Sequence, residues 1–508
     1  MVTKVIFLVV FFAIMIAVGV YSKKHATNVD GFVLGGRSVG PWLTAFAYGT
    51  SYFSAVVFVG YAGQFGYKYG ISATWIGIGN AIIGSLMAWI ILGRRTRVMS
   101  NHLKAATMPD YFGKRFDSKS LKIVASIIAF VFLIPYTSSV YNGLSNLFEM
   151  AFDIPYEVCV IVMAALTGVY VTLGGYMATA INDFIQGIIM IFGIIAVIAA
   201  VLKGQGGFYE ALIKLSEIES DVPLTLGQKG AFTSFFGPDL PNLLGVVVLT
   251  SLGTWGLPQM VHKFYAIKDE KAIKTGTIIS TIFAVIVSGG CYFLGGFGRL
   301  FDSPEIHNGS AIKYDAIIPT MLSNLRPILV GIVIVLVLSA SMSTLSSLVM
   351  TSSSTLTLDL IKGNIIKKMD EKKQLLCMRI FLVVFIVISV VLALDPPTFI
   401  AQLMGISWGA LAGAFLAPFL YGLYWKGVTK AAVWASFASG VLLTVSNMYF
   451  KFIASPINAG AIAMVAGLII VPIVSLITPK MDKNKVEQIF ECLDETVTVT
   501  KRKSINEK

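Results

Sequence analysis

Apolar residues along this 508-residue chain fall in runs of about 18 to 25, separated by short polar stretches. That period matches a hydrocarbon layer of about 30 Å crossed by helices rising about 1.5 Å per residue. Thirteen spans are predicted, at 4–21, 40–66, 72–92, 123–148, 156–173, 183–202, 242–261, 275–298, 328–352, 378–394, 398–424, 430–450 and 459–478. The short apolar–polar alternation of a membrane β-barrel is not found. The expected fold class is therefore an all-α polytopic membrane protein. The first run, with Lys4 ahead of an apolar core, has the outline of a secretory leader. It lacks a small-residue cleavage pattern and many spans follow, so it reads as a leading transmembrane helix.

Two of the runs are interrupted. The second carries Ala47-Tyr48-Gly49-Thr50-Ser51-Tyr52-Phe53-Ser54, and the seventh carries Ser251-Leu252-Gly253-Thr254-Trp255-Gly256-Leu257-Pro258. Small and polar residues at mid-depth also serve close helix packing. Two such breaks five spans apart instead point to a carrier built from inverted repeats, with its site at the breaks. An unwound backbone at that depth must be enclosed by protein or water, since lipid cannot satisfy its N–H and C=O groups. The expected organisation is a leading helix at 1–22, a first five-helix repeat at 40–202 and an extracellular loop at 203–241. A second repeat follows at 242–424, then two trailing helices at 425–478 and a polar cytoplasmic tail at 479–508.

Composition narrows the class. With 56% hydrophobic and 13% charged residues, the chain is far from the roughly 25% charge of soluble domains, which excludes a soluble enzyme or a disordered chain. The net charge of +12 arises from 39 Lys and Arg against 27 Asp and Glu. That excess lies in alternate loops: Lys23, Lys24 and Arg37; Arg94, Arg95, Arg97, Lys104, Lys114, Arg115, Lys119 and Lys122; Lys263, Lys268, Lys271 and Lys274; Lys362, Lys367, Lys368, Lys372 and Lys373. The 203–240 loop between them is acidic, with Glu210, Glu217, Glu219, Asp221 and Asp239. The positive-inside rule then places the amino terminus outside and the carboxyl terminus in the cytoplasm of a cell-membrane protein, with no nucleic-acid partner implied. Cys159, Cys291, Cys377 and Cys492 form no paired motif, so no metal or redox centre is indicated.

The candidate chemistry gathers on the ninth span, in Ser339-Ala340-Ser341-Met342-Ser343-Thr344-Leu345-Ser346-Ser347. Ser343, Ser346 and Ser347 share one helical face, with Thr344 alongside and Ala340 one turn earlier. Hydroxyls and carbonyls are the oxygen ligands a hard cation takes, although hydroxyls on membrane helices also serve as packing contacts. Asp183, at the start of the sixth predicted span, has no basic neighbour in sequence. A carboxylate there is either an interfacial loop residue or a functional group facing a cavity. With no second buried carboxylate, His pair or Lys evident for a proton relay, sodium is favoured over protons as the coupling ion.

Gly35-Gly36-Arg37-Ser38, Leu173-Gly174-Gly175 with Asn182-Asp183, and Ala340 to Ser347 resemble the sodium:solute symporter family over nearly the whole chain. Tyr67-Lys68-Tyr69-Gly70, Gly256-Leu257-Pro258 and Lys268-Asp269-Glu270-Lys271-Ala272 look more like its pantothenate-carrying branch than its proline or sialic acid carriers. The resemblance implies a five-helix inverted-repeat, LeuT-like core with one extra leading and two trailing helices. It implies a sodium site from the carbonyls of Thr50, Phe53 and Ala340 with the hydroxyls of Ser343 and Thr344. It also implies a second site, present in some members, at Asp183, Ser343, Ser346 and Ser347, which would allow two ions per cycle.

The substrate positions depart from the family's known carriers. Tyr52 stands where proline carriers have an aspartate, Thr250 and Thr254 replace aromatic residues, and Pro135 falls where sialic acid carriers have an arginine. The candidate solute contacts are Ser51, Tyr52, Ser54, Val57, Tyr136, Tyr141, Thr254, Trp255 and Gln402, for each of which helix packing is the alternative. The expected function is sodium-coupled import of a small organic solute by alternating access. Pantothenate, proline, sialic acid and monocarboxylates are the candidate solutes. The expected partners are the solute, sodium ions and the bilayer, with no organic cofactor, no metal besides sodium and no obligate protein partner. A proton-coupled or uncoupled carrier and a non-transporting sensor of the same fold are the alternatives. Four scattered histidines, with no HExxH or GxSxG motif, argue against an enzyme.

Overall fold

The computed structural model describes residues 2–23, 26–152, 154–309, 311–323, 325–362, 364–366 and 368–493. The chain is almost wholly helical; among the described residues the strands are His307–Asn308 and Ala311–Ile312, paired as a short antiparallel hairpin. Half of the predicted tail (494–508) lies outside the described residues. Its ordered start, Lys483–Phe490, is held by Lys485 to Asp117 and by Glu487 to Lys426, both at 2.7 Å.

Nine helices among the described residues are long and apolar enough to cross a membrane, or ten with the bent pair Leu240–Gly256 and Pro258–Ala266. The leading helix and Tyr156–Val169 are apolar but shorter, and the second and third predicted spans run together as Val56–His102 through a turn at Gly70. Helix covers each of the thirteen predicted spans, and nine to ten helices among the described residues have the length and hydropathy to cross. The predicted gap at 174–182 is helical. The long helix Tyr156–Gly204 is kinked at Gly175, where φ is 59° and ψ −156°, and resumes at once. That backbone region is open to glycine, and an added Cβ would lie 2.9 Å from Phe32. The polar groups in and after this stretch, Thr179, Asn182 and Asp183, are buried in protein.

Burial separates the interior helices from the lipid-facing ones. The most apolar window is 83% buried in 327–361 and 94% buried in Ile400–Tyr424, but only 28% in Glu371–Leu394. On that last helix Leu376, Ile380, Val383, Val387 and Val391 form an exposed apolar stripe at helical spacing. The serine helix (Pro327–Thr355) is therefore central, enclosed along its hydroxyl-rich half.

The two broken helices meet on the face that carries the basic 93–122 segment. Val39, just before the first broken helix, pairs in parallel with Ile267, just after the second: Val39 N–H donates to Ala266 and Lys268 N–H donates to Val39. Arg37 reinforces the junction by donating to the Ala105 carbonyl at 2.6 Å, the Tyr265 carbonyl at 3.3 Å and the Ser100 hydroxyl at 3.2 Å. Nearby, Lys122 bridges Asp110 and Asp359 at 2.7 and 3.2 Å.

Close backbone contact fixes the first broken helix against the eighth. A Cβ on Gly66 would lie 2.0 Å from the Gly295 carbonyl carbon, and one on Gly295 would lie 2.1 Å from the Ala62 oxygen. Backbone cannot yield as a side chain does, so Gly66→Ala is expected to cost at least about 3 kcal/mol, the upper end of overpacking costs. Gly289→Ala, whose Cβ would meet nothing within 4 Å, should stay within about 0.5 kcal/mol. Thermal unfolding of the two purified variants in detergent checks the contrast.

Candidate functional site

The first broken helix runs as Pro41–Tyr52 and stops because Phe53 is extended, at φ −106° and ψ 102°. Ser54 starts the second half. Its hydroxyl accepts the Val56 N–H at 3.2 Å, and its carbonyl accepts those of Val57 and Phe58 at 3.0 and 3.1 Å. The last carbonyls of the first half are left without helical amide partners, at the negative end of its dipole. The second break is made by Pro258, which has no N–H to donate, after an extended Leu257. The Tyr52 hydroxyl donates to the Thr250 carbonyl, joining the two broken helices directly.

The serine helix presses its hydroxyls onto the end of the first half-helix. Ser343 Oγ lies 2.9 Å from the Thr50 carbonyl and 3.1 Å from that of Ala340. Thr344 Oγ1 lies 3.3, 3.4 and 3.1 Å from the carbonyls of Thr50, Ser51 and Ala340. Five oxygens thus converge, all on residues no more than 3% exposed, and carry two protons between them. The Ala340 carbonyl also accepts an amide within its own helix, whereas those of Thr50 and Ser51 lie at the negative end of the first half-helix, so the cluster carries negative potential. Oxygens about 2.4 Å from a central ion, as around Ca²⁺, lie about 3.4 Å apart, close to the spacing seen.

Of the five residues predicted for the sodium site, Thr50, Ala340, Ser343 and Thr344 come together. The hydroxyl contacts go to the Ser51 carbonyl rather than that of Phe53, which adjoins at the break. Ser51 had been singled out only as a solute contact. The glycine- and serine-rich run signals that the helix stops, but not which carbonyl is freed.

The second predicted set is arranged differently. Asp183 is not interfacial: it sits two turns inside the helix that begins at Tyr176 and is 0% exposed. Ser346 turns its hydroxyl back to the Ser343 carbonyl, 2.8 Å away. Ser347 Oγ meets Ser51 Oγ at 2.8 Å and receives a hydrogen bond from Lys263 Nζ at 2.9 Å. The same ammonium lies 3.9 Å from Asp183 Oδ2, and neither carboxylate oxygen has a hydrogen-bond partner among the described residues. Lys263 is therefore not a loop residue. It lies in the helix Pro258–Ala266 and is 2% exposed. The expectation that no buried lysine or second buried carboxylate exists is corrected by Lys263 and by Asp359, which is 1% exposed. A signal was present in the sequence, since Lys263 interrupts an otherwise uncharged stretch from Leu249 to Ile267.

The predicted solute contacts divide. Tyr52 stacks on Phe53 and Trp408, with ring centroids 4.4 and 6.1 Å away, and Tyr136 meets Trp408 edge-on at 5.8 Å beside Ser54. Tyr61 and Tyr292, absent from the predicted set, lie within electrostatic reach of Tyr52. This buried cluster holds the hydroxyls of Tyr61, Tyr136 and Tyr292 and the Trp408 N–H, none in a hydrogen bond of ordinary geometry. Val57 is buried in the wide turn after the break, and Tyr141 lies beside Thr167. Thr254 and Trp255 instead hydrogen-bond the carbonyls of Gly84 and Ile83 in the third helix. Gln402 faces a separate cavity of about 620 Å³ bordered by Gln64, Asp221 and Arg299. Among the described residues no group of three or more His, Cys, Asp or Glu could hold a metal ion.

Comparison with known proteins adds an independent line. The sequence profile described as "Sodium:solute symporter family" matches residues 32–440. The sodium/proline symporters of Staphylococcus aureus strains JH9 and COL are 30% identical over 493 residues, covering 94% of this chain and 92% of theirs. A Na⁺-coupled sialic acid symporter, solved in a substrate-bound outward-open state, superposes with a TM-score of 0.77 at 17% identity, over 94% of this chain and 98% of that one. A nucleobase-cation-symport-1 family transporter in a closed conformation gives 0.54 at 13% identity, over 90% and 97%. These likenesses establish the fold as that of the LeuT-like transporters.

Proposed function

This chain belongs to the sodium:solute symporter family, and on that premise we propose that it imports a small carboxylate-bearing solute driven by sodium, through alternating access. The observation that carries the reading is the five-oxygen, two-proton cluster at Thr50, Ser51, Ala340, Ser343 and Thr344. A sodium ion supplies the positive charge that the cluster lacks. It also ties the end of the first half-helix to the serine helix, which favours the state ready for solute. Phe53, at the break, is the remaining family ligand position and lies next to this shell.

For the solute we assign the buried cluster of Tyr52, Ser54, Tyr61, Tyr136, Tyr292 and Trp408. The O–H groups of Tyr61, Tyr136 and Tyr292 and the Trp408 N–H, with no basic residue among them, suit a carboxylate or carbonyl held by neutral hydrogen bonds. The S. aureus relatives are sodium/proline symporters, but Tyr52 makes this cluster more aromatic than an aspartate there would. One charge crossing about 100 mV yields about 2.3 kcal/mol. A tenfold sodium gradient adds about 1.4 kcal/mol, enough together to concentrate a zwitterionic solute about 500-fold, whereas an anion carried with one sodium moves no net charge and gains only about tenfold from the gradient.

A second reading, proton coupling, draws on the buried Asp183–Lys263 pair. Uptake of pantothenate, proline, sialic acid and short monocarboxylates by proteoliposomes, with an imposed sodium gradient or an imposed pH gradient, separates the two. Sodium-driven accumulation of at least one solute is expected. Uptake that ignores sodium and follows pH would transfer the engine to the ion pair. Within the cluster, Thr344→Ala should raise the sodium concentration for half-maximal uptake at least tenfold. Ser352→Ala, two turns beyond, should shift it less than twofold. Equal shifts would place the ion elsewhere.

A further inference from the structure

We propose that Lys263 is a resident cation standing in for a second sodium ion, so that this carrier binds and moves one sodium per cycle. The inference deepens the sodium reading and rests on it. Its basis is where the ammonium lies. Lys263 Nζ donates to Ser347 and stands 3.9 Å from Asp183, so two of the four side chains of the second predicted ion set are already engaged by a cation. The other two face elsewhere: Ser343 contacts Thr50 in the first cluster, and Ser346 contacts the carbonyl of its own helix.

The ammonium also joins the elements that a mobile ion at this place would join. Lys263 belongs to the second broken helix, Asp183 to the helix after Gly175 and Ser347 to the serine helix. Ser51 of the first broken helix closes the chain through Ser347. The Tyr176 ring, its centroid 5.4 Å from Nζ, adds a cation–π face, and His262 packs edge-on against the same ring. One carboxylate balances one ammonium here. A sodium ion brought within about 4 Å of that ammonium, at an effective dielectric of about 20, would lose about three decades of affinity to repulsion. Removing the ammonium reverses the balance, because a buried, unpaired Asp183 is strongly unfavourable until another cation neutralises it.

The probe is the sodium ion alone. Equilibrium binding of radioactive sodium to the purified full-length protein in nanodiscs is expected to give one ion per chain with a Hill coefficient near 1. Lys263→Met, which keeps the volume and removes the charge, should bind two, with a Hill coefficient rising towards 2. Adding Thr344→Ala to Lys263→Met should remove one of the two. Two ions on the wild type would overturn the stand-in role while leaving sodium coupling intact. One ion on a folded Lys263→Met protein would overturn it equally, since the lysine would then not be what excludes the second. No saturable sodium on the wild type would remove the coupling reading itself, and this inference with it. Should Lys263→Met not fold, Lys263→Gln removes the same charge and is expected to give the same count of two.

Discussion

A helix broken in the middle of a bilayer leaves carbonyl and amide groups that lipid cannot satisfy, and this constraint organises the molecule. The breaks at Phe53 and Leu257 are tolerable only because other helices enclose them. Pro327–Thr355 and Ile400–Tyr424 accordingly lie deep in the bundle, while Glu371–Leu394 faces outward. The side chains brought to the first break are hydroxyls, and Tyr52 spans from it to the second helix's carbonyls. The groups that keep the break from being unstable are thus the groups that could receive an ion.

Much of this was legible in the residues. The glycine, proline and serine content of 47–54 and 251–258 marked both interruptions, because these residues remove helical donors or lower the barrier to leaving the helix. The i, i+3, i+4 spacing of Ser343, Ser346 and Ser347 marked one hydroxyl face. That this face meets Thr50 could not be read from spacing, since the two are almost 300 positions apart; it came from family resemblance. Helix ends were less legible. The sixth helix begins at Tyr176 because Gly175 kinks the chain without a loop, which hydropathy cannot register.

Lys263 was missed for a physical reason. Counting charges assigns every lysine near a span's end to water, and Lys263 is followed closely by Lys268, Lys271 and Lys274, which do lie at the exposed end. Only a partner justifies burying an ammonium, and Asp183, 80 residues earlier, is invisible to a local reading. The same gap explains Tyr61 and Tyr292. Each is an ordinary aromatic residue within its own helix, and each gains meaning only when the helices converge around Trp408.

The stitch between Val39 and Ile267 bears on leakage. Two backbone bonds and the Arg37–Tyr265 contact hold this seam as a latch, and Arg37 also ties it to Ser100 and Ala105. At about 1 kcal/mol net for each bond, the latch is comparable to the free energy released by one ion descending its gradient. A clasp much weaker would let ions slip through without cargo. One much stronger would leave the carrier locked with its cargo inside.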